Sequence, residues 1–235
     1  MKKAMILAAG RGERMGELTR NTPKPLLKVG GQCLIEYALA SIKRAGIEEC
    51  VINISWHGEQ IKNKLRDGAQ YGLKILYSEE PERLETGGGI FQALSLLGSE
   101  PFLVISSDIV SDYSFAELPK QPEGLAHLVL VDNPHYHLRG DYGLQEGRLS
   151  TAADQTYTYA NIGVFRRELF ADCVSGYFRL TQVLNPAVLA GKITGEIYKG
   201  FWQNIGTPQD IEAFKRARED SNLRPLASET NTLSS

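Results

Sequence analysis

The sequence predicts an α/β protein built on a mostly parallel sheet with helices on both faces, with an antiparallel, β-rich addition in the C-terminal half. Three observations carry this. Through about the first half of the chain, short β-branched runs alternate with stretches of helical spacing, the pattern of a parallel sheet with right-handed crossovers. From Gly124 onward the runs become short and turn-punctuated. The 235 residues, 42% hydrophobic and 23% charged, are ample for one large core.

Taken in order, "AMILAA" is a continuous apolar run and reads as a buried parallel strand. "LIEYALASIKRAG" sets Leu34, Ile35, Ala38, Leu39 and Ile42 at helical spacing and closes on Gly46. "CVINIS" reads as a strand, "GEQIKNKLRDGAQYG" as a helix and "LKILYS" as a strand. "TGGGIFQALSLLG" is a glycine-rich entry into a helix, and "PFLVISSD" a buried strand that runs into Asp108. Next come "GLAHLVLVDNP", "DYGLQEG", "GRLST" and "TYTYANIGVF" as strands, a helix at about 179–189, and "ITGEIYKGFWQNIG" as a strand pair. "TPQDIEAFKRARE" carries Thr207 as N-cap, Pro208 at the first helical position and Asp210 completing a capping box. One domain is expected over 1–218, with 219–235 a polar, flexible tail.

A net charge of −2 gives the whole molecule no reason to seek nucleic acid or an anionic membrane. The average hides a local excess. Lys2, Lys3, Arg11, Arg14, Arg20, Lys24 and Lys28 face only Glu13 and Glu17 in the first thirty residues, which points to a small anionic ligand. Cys33, Cys50 and Cys173 lack metal or redox spacing and read as reduced core residues. The apolar run after "MKK" is too short for a signal peptide, and no stretch approaches the roughly 20 apolar residues of a membrane span. A cytoplasmic location is expected; no pattern specifies an oligomeric state.

The stretch from Leu7 to Leu26, "LAAGRGERMGELTRNTPKPL", is the most informative. A dinucleotide fingerprint would need glycine where Met15 stands, and a Walker A loop would need Lys-Ser/Thr where Gly16 is followed by Glu17 and Leu18. What remains is a glycine-rich turn whose backbone N–H groups can approach phosphate oxygens, flanked by two cations. Arg14 can grip a phosphate bidentately, and Lys24, braced by Pro23 and Pro25, offers a compact charge on a stiffened stem. Asp108 offers a hard oxygen at a strand's carboxyl end, where ligands of parallel sheets bind. Three adjacent glycines, Gly87 to Gly89, are costly in a helix and suggest a closely packed ligand. His135 and His137 read as a polar loop.

This loop resembles the signature of the sugar-1-phosphate nucleotidyltransferases, L-A-A-G-x-G-x-R-M/L followed by P-L-T and P-K-P-L. The similarity runs on through "LIEYAL", "YSEEPERLETGGGIFQAL", Asp108, "ANIGVF" and "WQNIGT". It implies a Rossmann-like sheet of GT-A type, a nucleoside triphosphate and a sugar 1-phosphate as partners, and Mg²⁺ as cofactor. By motif match, Arg14 would hold the departing β and γ phosphates and Lys24 would bridge nucleotide and sugar phosphates. Ala9, Gly10 and Gly12 would give close backbone approach. Thr86, Gly87 and Gly88 would line the base and ribose pocket. Asn161 and Gly163, with Arg139 and Asp141, would meet the sugar, and Asp108 with Asn204 would hold the metal.

Two positions depart from the pattern: Ser107 replaces the usual glycine before Asp108, and Asn204 a usual aspartate. Within the family, "LETGGGI", "GLAHLVLVDNP" and "GEIYKGFW" are most similar to members that act on N-acetylmuramate 1-phosphate, implying transfer of UMP from UTP in cell-wall sugar recycling. The alternatives are a guanylyltransferase for mannose or heptose 1-phosphate, a thymidylyltransferase for glucose 1-phosphate, or a sugar-nucleotide binder without turnover.

Overall fold

The computed structural model describes residues 1–221. Along the chain lie β1 (Lys3–Leu7), a ribbon of β2 (Lys28–Val29) and β3 (Gln32–Cys33), α1 (Leu34–Arg44), β4 (Glu49–Ile54), α2 (Gly58–Leu65), β5 (Lys74–Glu79) and α3 (Glu85–Leu97). There follow β6 (Phe102–Ser106), β7 (Ile109–Ser111), β8 (Ala126–Val131), β9 (Gly143–Gln145), β10 (Arg148–Ser150) and β11 (Thr158–Phe165). The last are α4 (Thr181–Leu189), β12 (Ile193–Tyr198), β13 (Trp202–Asn204) and α5 (Pro208–Ser221). The tail read from 219 lies outside the described residues beyond Ser221; its first three positions close α5.

Nine strands form one sheet in the order β5-β4-β1-β6-β11-β8-β12-β10-β9. The first four are parallel, β11 is antiparallel to β6 and β8, β12 is parallel to β8, and the β9–β10 hairpin closes the edge. The C-terminal strands thus extend the sheet rather than fold over it. The order in which the chain adds strands reverses between β1 and β6, which run parallel and pair from Ala4 opposite Leu103 to Leu7 opposite Ser106. That crevice receives both the loop after β1 and Asp108 after β6, as ligand sites of such sheets require.

Strand residues alternate between two cores because successive side chains point to opposite faces. Ala4, Ile6, Cys50, Ile52, Leu103 and Ile105 pack with α1 and α2, while Met5, Val51, Phe102 and Val104 pack with α3 and α4. A third cluster, with Met15, Val29, Tyr37, Val110, Ile205 and Phe214, fastens the β1 loop and α5 to the flank.

Two sequence readings change. β12 and β13 do not pair with each other: β12 joins the main sheet, and β13 pairs with β7. The helix read over 58–72 ends at Leu65, where Arg66 takes φ +52° and a short 3₁₀ turn follows at Ala69–Tyr71. The capping box of α5 forms as read: Asp210 Oδ2 accepts from the Thr207 N–H at 2.7 Å, and Thr207 Oγ1 from the Asp210 N–H at 3.3 Å. Cys33 and Cys50 are buried, and burial pushes both thiols up, away from reactivity.

Candidate active site

Inside the basic loop, order comes from a few hydrogen bonds. The Ala8 N–H donates to Asn53 Oδ1 at 2.8 Å, and Asn53 Nδ2 donates to Glu80 Oε1 at 2.6 Å, so β4 and the end of β5 brace the point where the chain leaves β1. Further on, 3₁₀ turns form at Glu13–Thr19 and Lys24–Leu26, with Thr19 Oγ1 donating to the Gly12 carbonyl at 3.0 Å. Met15, which stands where a dinucleotide loop has glycine, is buried in the third core and anchors the loop. Gly12 has φ +67°, and a Cβ there would sit 2.9 Å from Lys24 Cβ. Glycine at this position lets the loop close over the lysine stem.

Ala9, Gly10, Gly12, Arg14, Lys24, Thr86 and Asp108 all stand on one cavity of about 810 Å³. Lys24 is only 8% exposed, and its Nζ lies 2.5 Å from Asp108 Oδ2. A buried lysine needs such a partner, because an unpaired charge there would be costly. The Arg14 guanidinium lies against Gly206, where a Cβ would come within 3.3 Å of it. A Cβ on Gly10 would meet no protein atom within 4 Å, so this backbone borders open space.

The β7–β13 pairing puts Asn204 opposite Ile109, and the Ile205 N–H donates to the Asp108 carbonyl at 2.9 Å. Asn204 is thereby set beside Asp108. Its Oδ1 is buried and has no hydrogen-bond partner, an acceptor left for a ligand. Among the described residues no three His, Cys, Asp or Glu side chains converge as a metal cluster. A carboxylate and an orphaned amide oxygen fit a hard divalent cation whose remaining ligands come from phosphates and water.

A second cavity of about 360 Å³ adjoins the first, sharing Glu85 and Thr86 as lining residues. Asp141, Asn161 and Asn204 line it. Asp141 is fixed by the Tyr159 N–H at 2.8 Å and His137 Nε2 at 3.1 Å. Asn161 holds φ +56° where the pairing of β11 with β8 slips between Tyr159 and Gly163, a bulge that re-aims its side chain. Glu85 is also left-handed, at φ +58°, and is paired with Arg83.

Four expected residues stand off the cavity walls, the three glycines among them for a packing reason. A Cβ on Gly87 would meet the Phe178 ring at 2.5 Å, and one on Gly88 the Gly176 carbonyl at 2.2 Å. The glycine run therefore admits the segment before α4, and Gly89 likewise admits Glu80. Gly163 is pressed within the sheet, where a Cβ would lie 2.8 Å from Leu128 Cδ2. Arg139 is exposed on the loop outside both cavities; its carbonyl accepts the Thr156 hydroxyl at 2.5 Å. Asn53, Glu80, Tyr136, His137 and Arg179 line the cavities without having been given a site role from sequence. The one available signal was an amide inside the apolar run "CVINIS".

Burial pushes the Glu80 carboxyl above its ordinary range, against hydrogen bonds from Asn53 and the Leu84 N–H. A raised carboxyl favours the fold below its unfolded value of 4.5, and that contribution is lost as pH rises through the folded value. In Glu80→Gln the loss is absent. Urea denaturation at stepped pH should show the variant gaining on the wild type as pH rises from 4.5; a constant difference would mean that Glu80 does not titrate abnormally.

The family model for "Nucleotidyl transferase" matches residues 3–221. The chain is 43% identical over 215 residues to the N-acetylmuramate alpha-1-phosphate uridylyltransferase of Neisseria meningitidis serogroup B, covering 87% of this chain and 93% of that one. It is 30% identical over 225 residues to the protein of the same name in Caulobacter vibrioides, covering 88% and 93%. A solved Bacillus anthracis structure, assigned as a glucose-1-phosphate thymidylyltransferase and holding sucrose, superposes with TM-score 0.82 over 95% of this chain and 98% of its own, at 21% identity. That likeness shows the shared α/β fold. A signature loop closed over a buried lysine, a matching model over nearly the whole described chain and relatives aligned almost end to end agree: the chain belongs to the nucleotidyl transferase family.

Proposed function

We propose that the protein transfers UMP from UTP to N-acetylmuramate 1-phosphate, giving UDP-N-acetylmuramate and pyrophosphate. The observation that carries the reading is the 43% identity to the Neisseria uridylyltransferase along 87% of the chain. The site geometry suits the reaction. The larger cavity takes the triphosphate, the smaller the sugar, and the Lys24–Asp108 pair lies on the larger. A sugar-phosphate oxygen forms a bond to the α-phosphorus as the bond from that phosphorus to the bridging oxygen of the β-phosphate breaks in line, and pyrophosphate departs. No covalent enzyme intermediate is required. The protein positions the two substrates and neutralises their charge.

Arg14 grips the β and γ phosphates, and their departure leaves negative charge on a group it already holds. Lys24 lies between the reacting phosphates, held in place by Asp108 so that little reorganisation is needed when they enter. Backbone at Ala9, Gly10 and Gly12 approaches the phosphates without a side chain beyond Cβ in the way. Asp108 and Asn204 would hold Mg²⁺, which supplies further charge neutralisation on the phosphates when bound. Asn161 and Asp141 offer an amide and a carboxylate to sugar hydroxyls. This reading puts the protein in the cytoplasm, where its triphosphate substrate is found; among the described residues no helix is long and apolar enough to cross a membrane.

A matrix of nucleoside triphosphates against sugar 1-phosphates, followed by pyrophosphate release, tests the proposal. Release should be fastest with UTP and N-acetylmuramate 1-phosphate. Preference for GTP with mannose or heptose 1-phosphate, or for dTTP with glucose 1-phosphate, would reassign the substrates, and ligand binding with no release in any pair would indicate a binder.

The neutral amide at Asn204 should weaken metal affinity, since one carboxylate offsets only half the charge of the cation. Asn204→Asp is expected to lower the magnesium concentration for half-maximal rate by about tenfold, the equivalent of about 1.4 kcal/mol. An unchanged magnesium curve would show that residue 204 does not touch the ion.

A further inference from the structure

The smaller cavity carries a cation that the transfer chemistry does not use. Arg179 lines this cavity and not the larger one, where Arg14 and Lys24 stand. Its backbone N–H donates to Gln182 Oε1 at 2.8 Å, which fixes the start of α4 beneath it. Its guanidinium has no hydrogen-bonding or ion-pairing partner among the described residues. The carboxylates on the same cavity are already engaged, Glu85 by Arg83 and Asp141 by the Tyr159 N–H and His137. Arg179 is therefore an exposed cation on the cavity wall that neither carboxylate there pairs with among the described residues. A neutral sugar would gain little from it, and a planar guanidinium fork is matched by a carboxylate.

We infer that Arg179 forms a carboxylate subsite within the sugar cavity and reads the acidic side arm of the acceptor. The inference rests on the function proposed above: N-acetylmuramate differs from N-acetylglucosamine by a lactyl ether that ends in a carboxylate. The anomeric phosphate is held at the Lys24–Asp108 end, so the two anionic groups of one substrate meet separate cations. A sugar phosphate without the side arm leaves the guanidinium unpaired, and discrimination follows from that loss.

The test compares kcat/KM of the full-length protein for N-acetylmuramate 1-phosphate and N-acetylglucosamine 1-phosphate at saturating UTP, in the wild type, Arg179→Ala and Arg179→Lys. The wild type should prefer the muramate, and Arg179→Ala should cut that preference about 10- to 100-fold, the range of a hydrogen-bonded charge pair. Arg179→Lys, which keeps the charge and loses the fork, should retain part of it. An unchanged preference in Arg179→Ala, or an equal fall for both sugars, overturns the subsite and leaves the substrate reading standing. A wild type that shows no preference, or uses neither sugar, overturns the substrate reading and the subsite with it.

Discussion

Lys24→Ala should lower kcat/KM by roughly two to four decades, on the order of the loss of one preorganised donor to a charged transition state or somewhat more. The size follows from where the ammonium lies. Between two reacting phosphates, its attraction grows as charge gathers on the oxygens in transit, so it acts on the barrier more than on binding. Its stem is buried and closed over by the Gly12 backbone, which fixes where the ammonium stands. Truncation also leaves Asp108 without its partner at 2.5 Å, and the freed carboxylate would then repel the incoming phosphates. Lys24→Arg is expected to rescue little, because a planar guanidinium does not reproduce the compact point charge that Nζ places 2.5 Å from Asp108 Oδ2. Steady-state kinetics on variants with a wild-type melting transition check this. Retention of more than about a third of wild-type turnover in Lys24→Ala would remove the lysine from the reaction.

Asp108→Asn should abolish magnesium-dependent turnover while leaving the fold intact, with only a modest fall in melting temperature. Its side chain faces the cavity, 21% exposed, and supports none of the three apolar clusters. With Asn204 already neutral, the variant would present two amides to a divalent cation, and raising magnesium should not restore the rate. It also leaves Lys24 with a neutral partner, so a modest loss of stability is expected from that pair alone. A fall in melting temperature that tracks the loss of activity would make Asp108 a structural residue instead.

The parts of this site legible in the sequence are those carried by single continuous stretches. The loop from Leu7 to Leu26 shows its glycines, cations and prolines in one run, and Asp108 announces itself by ending an apolar strand. What stayed hidden is assembled by sheet order. Asn53 meets Glu80 across 27 positions because β4 and β5 lie side by side, and neither residue signals the other in the sequence. At the glycines 87–89 a sequence shows the missing side chains but not what fills their place; Phe178, the Gly176 carbonyl and Glu80 fill it. Adjacent strands usually pair, and the split of β12 from β13 breaks that rule. β13 crosses to β7, with the Asp112 N–H and Ser111 Oγ both donating to the Phe201 carbonyl, and this crossing brings Asn204 to Asp108. His137 read as a loop residue until Asp141, four positions on, was placed on the cavity wall beside it.

Direct transfer of a nucleotidyl group to an intact sugar phosphate is the claim on which everything else depends, and oxygen labelling tests it most directly. The protein would be given UTP and N-acetylmuramate 1-phosphate carrying ¹⁸O throughout its phosphate, with the products resolved by mass spectrometry. The account requires UDP-N-acetylmuramate that keeps every labelled oxygen of the sugar phosphate, alongside unlabelled pyrophosphate. Label in the pyrophosphate, or release of pyrophosphate without a UDP-sugar, would contradict it.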